Sequence, residues 1–188
     1  MRRWLIPVLG MILAVAGGTA SAQSWPTKPI RLIIGFPPGG GADTVARPVA
    51  DALSQALGQP VIVDNKPGGG TTIAATTVAT AAPDGYTLYM SNASLYGSLQ
   101  AIYKDFKHPI GDYRPIALWV TGPMLLTVSA GLGVDSVPQL IARAKAEPGR
   151  LNYASSGVGG GTHLPGLMFT RLAGVDIQHV PYKGGAPA

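Results

Sequence analysis

Two glycine-rich stretches are the residues best placed to do chemistry. They are Phe36-Pro37-Pro38-Gly39-Gly40-Gly41-Ala42-Asp43 and Ser155-Ser156-Gly157-Val158-Gly159-Gly160-Gly161-Thr162. Each follows a short apolar run and precedes a stretch with helical spacing. The first N–H groups of a helix lack intrahelical partners, and the helix dipole places partial positive charge there. Glycine lets a ligand approach that backbone closely. The chemistry is therefore anion binding, and the second stretch adds hydroxyl donors. Either stretch alone reads as an ordinary strand-to-helix turn. Two in equivalent positions read as the two sides of a site for an acid, since open α/β sheets bind ligands beyond their strand C-termini.

Other chemistries fit less well. Gly39-x-Gly41-x-x-Thr44 lacks the third glycine of a dinucleotide fingerprint, although Asp64 lies about 20 residues on, where a ribose-binding acid would stand. No Gly-Lys-Ser/Thr follows either loop, so a P-loop is excluded. No G-x-S-x-G elbow occurs. Ser155 and Ser156 are close to His163 in sequence, which allows a hydroxyl–imidazole pair, while His108 falls in a loop and His179 in a strand. No spacing of histidines or carboxylates suggests a metal. Glu147 is the sole glutamate, so paired glutamate acid–base chemistry is excluded.

These loops need strands and helices to position them. Residues 30–36 form an apolar run that predicts a buried parallel strand. Residues 44–57 predict a helix with Asp43 as its N-cap and Gly58 as its stop. A second strand follows at 61–63, a helix at 71–81 and a third strand at 86–90. This β-α-β-α-β order predicts an α/β fold with a parallel sheet. Further along, residues 95–103 read as helix, and 116–120 and 124–128 as strands. Ser136-Val137-Pro138 opens another helix, with a cap and a first-turn proline. Residues 151–154 predict a strand, 162–172 a helix and 177–180 a last strand. The chain then stops after a glycine turn with no covering helix, so the sequence reads as C-terminally truncated.

Composition bounds the rest. The chain has 188 residues, 46% hydrophobic and 12% charged, with no cysteine. That excludes disulfides, cysteine-ligated metals and a thiol nucleophile. Arg2 and Arg3 precede an uncharged apolar stretch that ends in Ala20-Ser21-Ala22. This predicts a cleaved signal peptide over residues 1–22, cut before Gln23, and export rather than a retained anchor. Without those two arginines the formal charge falls from +5 to +3. No basic cluster remains, so nucleic acid is not an expected partner.

The chain resembles the receptor component of tripartite tricarboxylate transporters, the Bug-type periplasmic binding proteins. The segments that carry the resemblance run along the whole mature chain. They are Trp25-Pro26-Thr27-Lys28-Pro29-Ile30, residues 36–43, Asn65-Lys66-Pro67-Gly68, Pro83-Asp84-Gly85-Tyr86-Thr87-Leu88, Tyr153-Ala154-Ser155-Ser156-Gly157 with Gly160-Gly161-Thr162-His163, and Val180-Pro181-Tyr182-Lys183-Gly184-Gly185. Two departures stand out. Many members continue Asn-Lys-Pro-Gly with Ala-Gly-Gly, where this chain has Gly69-Gly70-Thr71-Thr72. Pro165 also stands where a small residue is expected.

The resemblance implies a two-lobed flytrap fold with parallel-rich sheets, the second lobe incomplete, closing on a small carboxylated solute. The lobes would comprise residues 23–115 and 116–188. It implies a receptor, not an enzyme, with no cofactor, working as a monomer that delivers its solute to membrane permease subunits. The alternative is an exported α/β enzyme, either dinucleotide-dependent or a hydrolase. Carried over by position, Phe36, Pro38, Gly39, Gly40, Gly41 and Asp43 would form the first side of the cleft. Ser155, Ser156, Gly157, Gly160, Gly161, Thr162 and His163 would form the second, with Tyr182, Lys183 and Gly184 nearby. The N–H groups of Gly40, Gly41 and Gly161 and the hydroxyls of Ser156 and Thr162 are the candidate carboxylate donors. Asn92 would contact the solute or cap the next helix. Asp43 reads more as a helix cap than as a contact, because a carboxylate repels an anionic solute.

Overall fold

The computed structural model describes residues 24–188; the signal peptide expected over residues 1–22 lies outside them. Three strands, β1 (Ile30–Ile34), β2 (Val61–Asn65) and β3 (Thr87–Met90), form a parallel sheet in the order β2-β1-β3. Leu32 pairs with Val63 on one side and Leu88 on the other. The central strand is buried on both faces except at Arg31, as a covered parallel strand should be. On one face Ile30, Leu32 and Ile34 pack against Ala46 and Ala50 of α1 (Gly41–Leu57) and Val61 of β2. The second cluster gathers Ala75 of α2 (Thr72–Ala79), Leu95, Leu99 of α3 (Ser98–Ile102) and Phe106, with Tyr89 of β3 packed against it.

A second parallel sheet contains β4 (Asn152–Ser155) and β5 (Gln178–Pro181). It follows α4 (Val137–Ala146) and encloses α5 (His163–Ala173) in sequence. Ser136 caps α4, accepting a hydrogen bond from the Gln139 N–H. Gly58 and Gly174 end α1 and α5 in the left-handed conformation, as stop glycines do.

Three expectations need correction. Asp43 is not the N-cap of α1. Gly40 is, and Asp43 stands three residues in, reaching back to accept from the Gly39 N–H at 3.0 Å. Asp43 therefore sits inside the first turn, and its carboxylate reaches back past the cap to the glycine loop rather than capping the helix. The predicted helix at 95–103 is split into a 3₁₀ turn, Ala93–Tyr96, and the short α3, with Gly97 between them at φ −155°. The strands expected at 116–120 and 124–128 do not form. Ile116, Leu118 and Leu125 are about 80% exposed, and neither segment has a ladder partner among the described residues. Apolar alternation supplies strand propensity, but a strand exists only where another edge accepts its hydrogen bonds.

Candidate functional site

The C-terminal ends of both sheets converge on one cleft of about 190 Å³. Gly35 and Phe36 enter it after β1, and residues 68–71 after β2. Ser156, Gly157 and Val158 enter after β4, Pro181 at the end of β5 and Tyr182 and Lys183 just beyond it; Tyr103 completes the wall. Its lining contains one formal charge, the Lys183 ammonium, and no carboxylate. Lys183 forms no ion pair among the described residues.

The two sides are tied together by backbone contacts that only glycine permits. A Cβ on Gly70 would stand 2.5 Å from the Tyr103 hydroxyl and 2.7 Å from the Val158 carbonyl, and its φ of +59° suits glycine alone. The Tyr103 hydroxyl donates to that same carbonyl at 3.1 Å. Ser94 and Ser98 donate their hydroxyls to the neighbouring Gly159 carbonyl at 3.2 and 2.6 Å. The second glycine loop is thus held by side chains of the first half of the chain. At the other end of the cleft, Gly184 packs on Pro37, where a Cβ would lie 2.5 Å from its ring.

The first glycine loop is braced from below. The Asp43 carboxylate, almost fully buried, accepts from Arg47 at 2.8 and 2.9 Å, from the Gly39 N–H and from Asn65 Nδ2 at 3.0 Å. Asn65 Nδ2 also donates to the Phe36 carbonyl at 2.9 Å. The Arg47 hydrogen bonds, followed by that from Gly39, hold the Asp43 carboxyl well below the usual carboxylate range against the opposing effect of burial. Asp43 therefore braces the loop, with every bond it makes directed at protein.

The second loop is braced by stacked rings. His179 lies between Tyr153 and His163, with centroids 4.9 and 4.1 Å away. Its Nε2 is 2.7 Å from the Ser155 hydroxyl, which is buried. Burial first, then the neighbouring His163, lowers the His179 pKa. His163 Nδ1 accepts from the Gly159 N–H at 3.1 Å. The hydroxyl–imidazole pair is thus Ser155 with His179, not a pair with His163. No carboxylate completes it among the described residues' hydrogen bonds, and Ser155 has almost no surface from which to attack a substrate.

Of the seventeen positions expected at the site, Phe36, Ser156, Gly157, Tyr182 and Lys183 line the cleft. Pro38, Gly39, Gly40, Gly41, Asp43, Asn92, Ser155, Gly160, Gly161, Thr162, His163 and Gly184 lie outside its lining. Asn92 caps the Ala93–Tyr96 turn, accepting from the Ser94 N–H at 2.9 Å. Thr162 Oγ1 accepts from the Ser156 N–H and is 2.8 Å from the Ser156 hydroxyl, so the two candidate hydroxyl donors engage each other. Asp64, the possible ribose ligand, is paired with Arg31 at 2.6 Å. Sequence reasoning missed Gly35, residues 68–71, Tyr103, Val158 and Pro181. The glycine run after β2 carried a usable signal: in a parallel sheet its loop must open on the same edge as the loop after β1. Among the described residues there is no cluster of three potential metal ligands, and no helix is long and apolar enough to cross a membrane.

Two parallel α/β sheets present their loop ends to a shared cleft, the architecture of periplasmic-binding-protein-like folds. The description "Tripartite tricarboxylate transporter family receptor" matches residues 45–188, and the chain belongs to that family. It is 38% identical to Protein BugT of Bordetella pertussis over 98% of this chain and 58% of that protein. It is also 38% identical to the UPF0065 protein in the gbd 5'region of Cupriavidus necator, over 93% of this chain and 53% of that one. Among solved structures, Rpa4515 of R. palustris with adipate superposes with a TM-score of 0.84 at 36% identity, over 87% of this chain and 55% of that one. MatC from Rhodopseudomonas palustris with bound malate superposes at 0.81 and 32% identity, over 87% and 56%. The chain spans about half the length of the curated relatives it matches.

Proposed function

We propose that this chain is a periplasmic solute receptor that binds a small carboxylated organic acid in the cleft between its two sheets and hands it to the membrane subunits of a tripartite transporter. One observation carries the reading: the cleft is edged by glycine backbone from both sheets and holds one cation, Lys183, with no carboxylate in its lining. Such a lining attracts an anion and offers neutral donors around it, with water free to bridge the remainder. Neighbours with bound adipate and malate support a dicarboxylate. No group in the lining is arranged for bond making, so the role is capture and delivery rather than catalysis. Export would follow from cleavage before Gln23, and the receptor would act as a monomer.

Isothermal titration with mono-, di- and tricarboxylates tests the reading. Saturable binding of one acid per chain, without turnover and weakened by Lys183→Gln, is expected. Binding of none of these acids, or conversion of any of them, would refute it.

A further inference from the structure

The second glycine loop contains one peptide unit that is gripped from both sides. Val158 lines the cleft, and its carbonyl accepts from the Tyr103 hydroxyl at 3.1 Å. The N–H of the same peptide belongs to Gly159 and donates to His163 Nδ1 at 3.1 Å. Gly159 is buried, and its own carbonyl is taken by the hydroxyls of Ser94 and Ser98.

The Gly159 contact fixes the charge state of His163. A backbone N–H can only donate, so Nδ1 must carry a lone pair and the ring proton must sit on Nε2. An imidazolium has donors at both nitrogens. Protonating His163 would therefore set two N–H groups against each other and leave the buried Gly159 donor unpaired, which is destabilising. The stacked neighbour differs. His179 Nε2 faces the Ser155 hydroxyl at 2.7 Å, and a hydroxyl can donate to a bare nitrogen or accept from a protonated one. With the ring centroids 4.1 Å apart, a charge on either histidine opposes a charge on the other.

No carboxylate relieves the pair. Among the described residues neither ring forms an ion pair. The titratable groups facing the stack are Tyr153 of β4, on the far face of His179, and Tyr103, across the Val158–Gly159 peptide. Neither β4 nor β5 carries a formally charged side chain, and the loop 156–162 carries none. Arg171, about two turns beyond His163, is the one such group on α5, and Lys183 lies just past β5.

We propose that His163 is a positioning residue that holds the cleft-lining Val158–Gly159 peptide only while its ring is neutral, so that the cleft loses affinity for its acid in mildly acidic solution. This rests on the cleft being the carboxylate site. Histidine is the side chain that changes charge between about pH 5 and 8. Simple attraction would give the opposite sign, since added positive charge favours an anion. The backbone bond outweighs it because His163 and His179 stand outside the cleft lining, where their charge is screened by solvent and salt.

Isothermal titration with adipate and with malate at pH 7.5 and 5.5, on wild type and His163→Asn, tests this. Asparagine offers Gly159 a carbonyl oxygen and does not titrate. Protonation of the acid itself affects both proteins alike. Wild type should lose about tenfold in affinity over that range beyond any change in His163→Asn. Equal changes in the two proteins, or a relative gain by wild type in acid, would overturn the proposal while leaving the receptor reading intact. Failure of wild type to bind these or any other carboxylate at pH 7.5 would remove the receptor reading and this proposal together. NMR of wild type without ligand gives a readout that needs no variant. The Gly159 amide should shift with the same midpoint as the His163 ring protons, and its exchange, corrected for intrinsic pH dependence, should quicken below it. A Gly159 amide that stays unmoved while His163 titrates would overturn the proposal.

Discussion

Replacing Asp43 by asparagine should destabilise the fold and weaken its dependence on acid. The side chain keeps its shape, but the acceptor loses its charge and gains two donors that face Asn65 Nδ2, Arg47 and the Gly39 N–H. A charge-assisted bond is worth about 1.5–3 kcal/mol and a neutral one about 1, so neutralising the acceptor for Gly39 and Asn65 costs about 1–2 kcal/mol. Arg47 is half exposed and can turn to water, so it adds little. That loss of about 1–2 kcal/mol corresponds to a fall of roughly 2–8 °C in Tm for a domain of this size. The pH dependence fixes the sign independently. The Asp43 carboxyl is depressed in the folded chain and titrates near 3.9 when unfolded. Below that value the unfolded state binds the proton first, so its stabilisation is complete at neutral pH and drains away as pH falls. Between pH 6 and pH 3 wild type should lose about 1.3 kcal/mol from this group alone, and Asp43→Asn nothing. The gap between the two should therefore narrow in acid. Thermal unfolding of both proteins from pH 6 to 3 measures it. A variant as stable as wild type at pH 6, or a gap that does not narrow, would refute the brace.

Three further outcomes follow from the same contacts. Replacing both Ser94 and Ser98 by alanine removes the two donors to the buried Gly159 carbonyl and should cost about 1–3 kcal/mol, with faster amide exchange concentrated at residues 157–160; unchanged exchange there would show that these hydroxyls do not hold the loop. Gly70→Ala should destabilise more than Gly58→Ala, because both place alanine at positive φ for about 1–2 kcal/mol but only Gly70 would also press on Tyr103 and Val158; equal midpoints would deny the close approach across the cleft. Because burial and His163 lower the His179 pKa, the folded state resists its protonation and the chain should lose stability as pH falls below the unfolded value of about 6.5. Proton NMR should place its midpoint below that value, His179→Gln should flatten the slope between pH 7 and 5.5, and a midpoint above 6.5 would contradict the buried stack.

The residues alone determined the class of this protein. Apolar runs of strand length alternating with helical spacing dictate a parallel α/β sheet, because local backbone preference and burial periodicity are properties of short segments. Glycine runs after 36 and after 155 marked strand ends where a ligand could approach, for the same local reason. The tertiary structure decided which of those residues line the cleft. Asp43 and Asn92 have the side chains of binding residues, yet one braces a loop and the other caps a turn, and only their neighbours in space say so. Residues 68–71 and Tyr103 reach the cleft because parallel pairing brings the end of β2 beside β1 and because Tyr103 spans to Val158. His179, remote from Ser155 in sequence, becomes its partner through the pairing of β4 with β5. Residues 116–128 have strand composition and no strand, since pairing is a property of two segments and is not written in either alone.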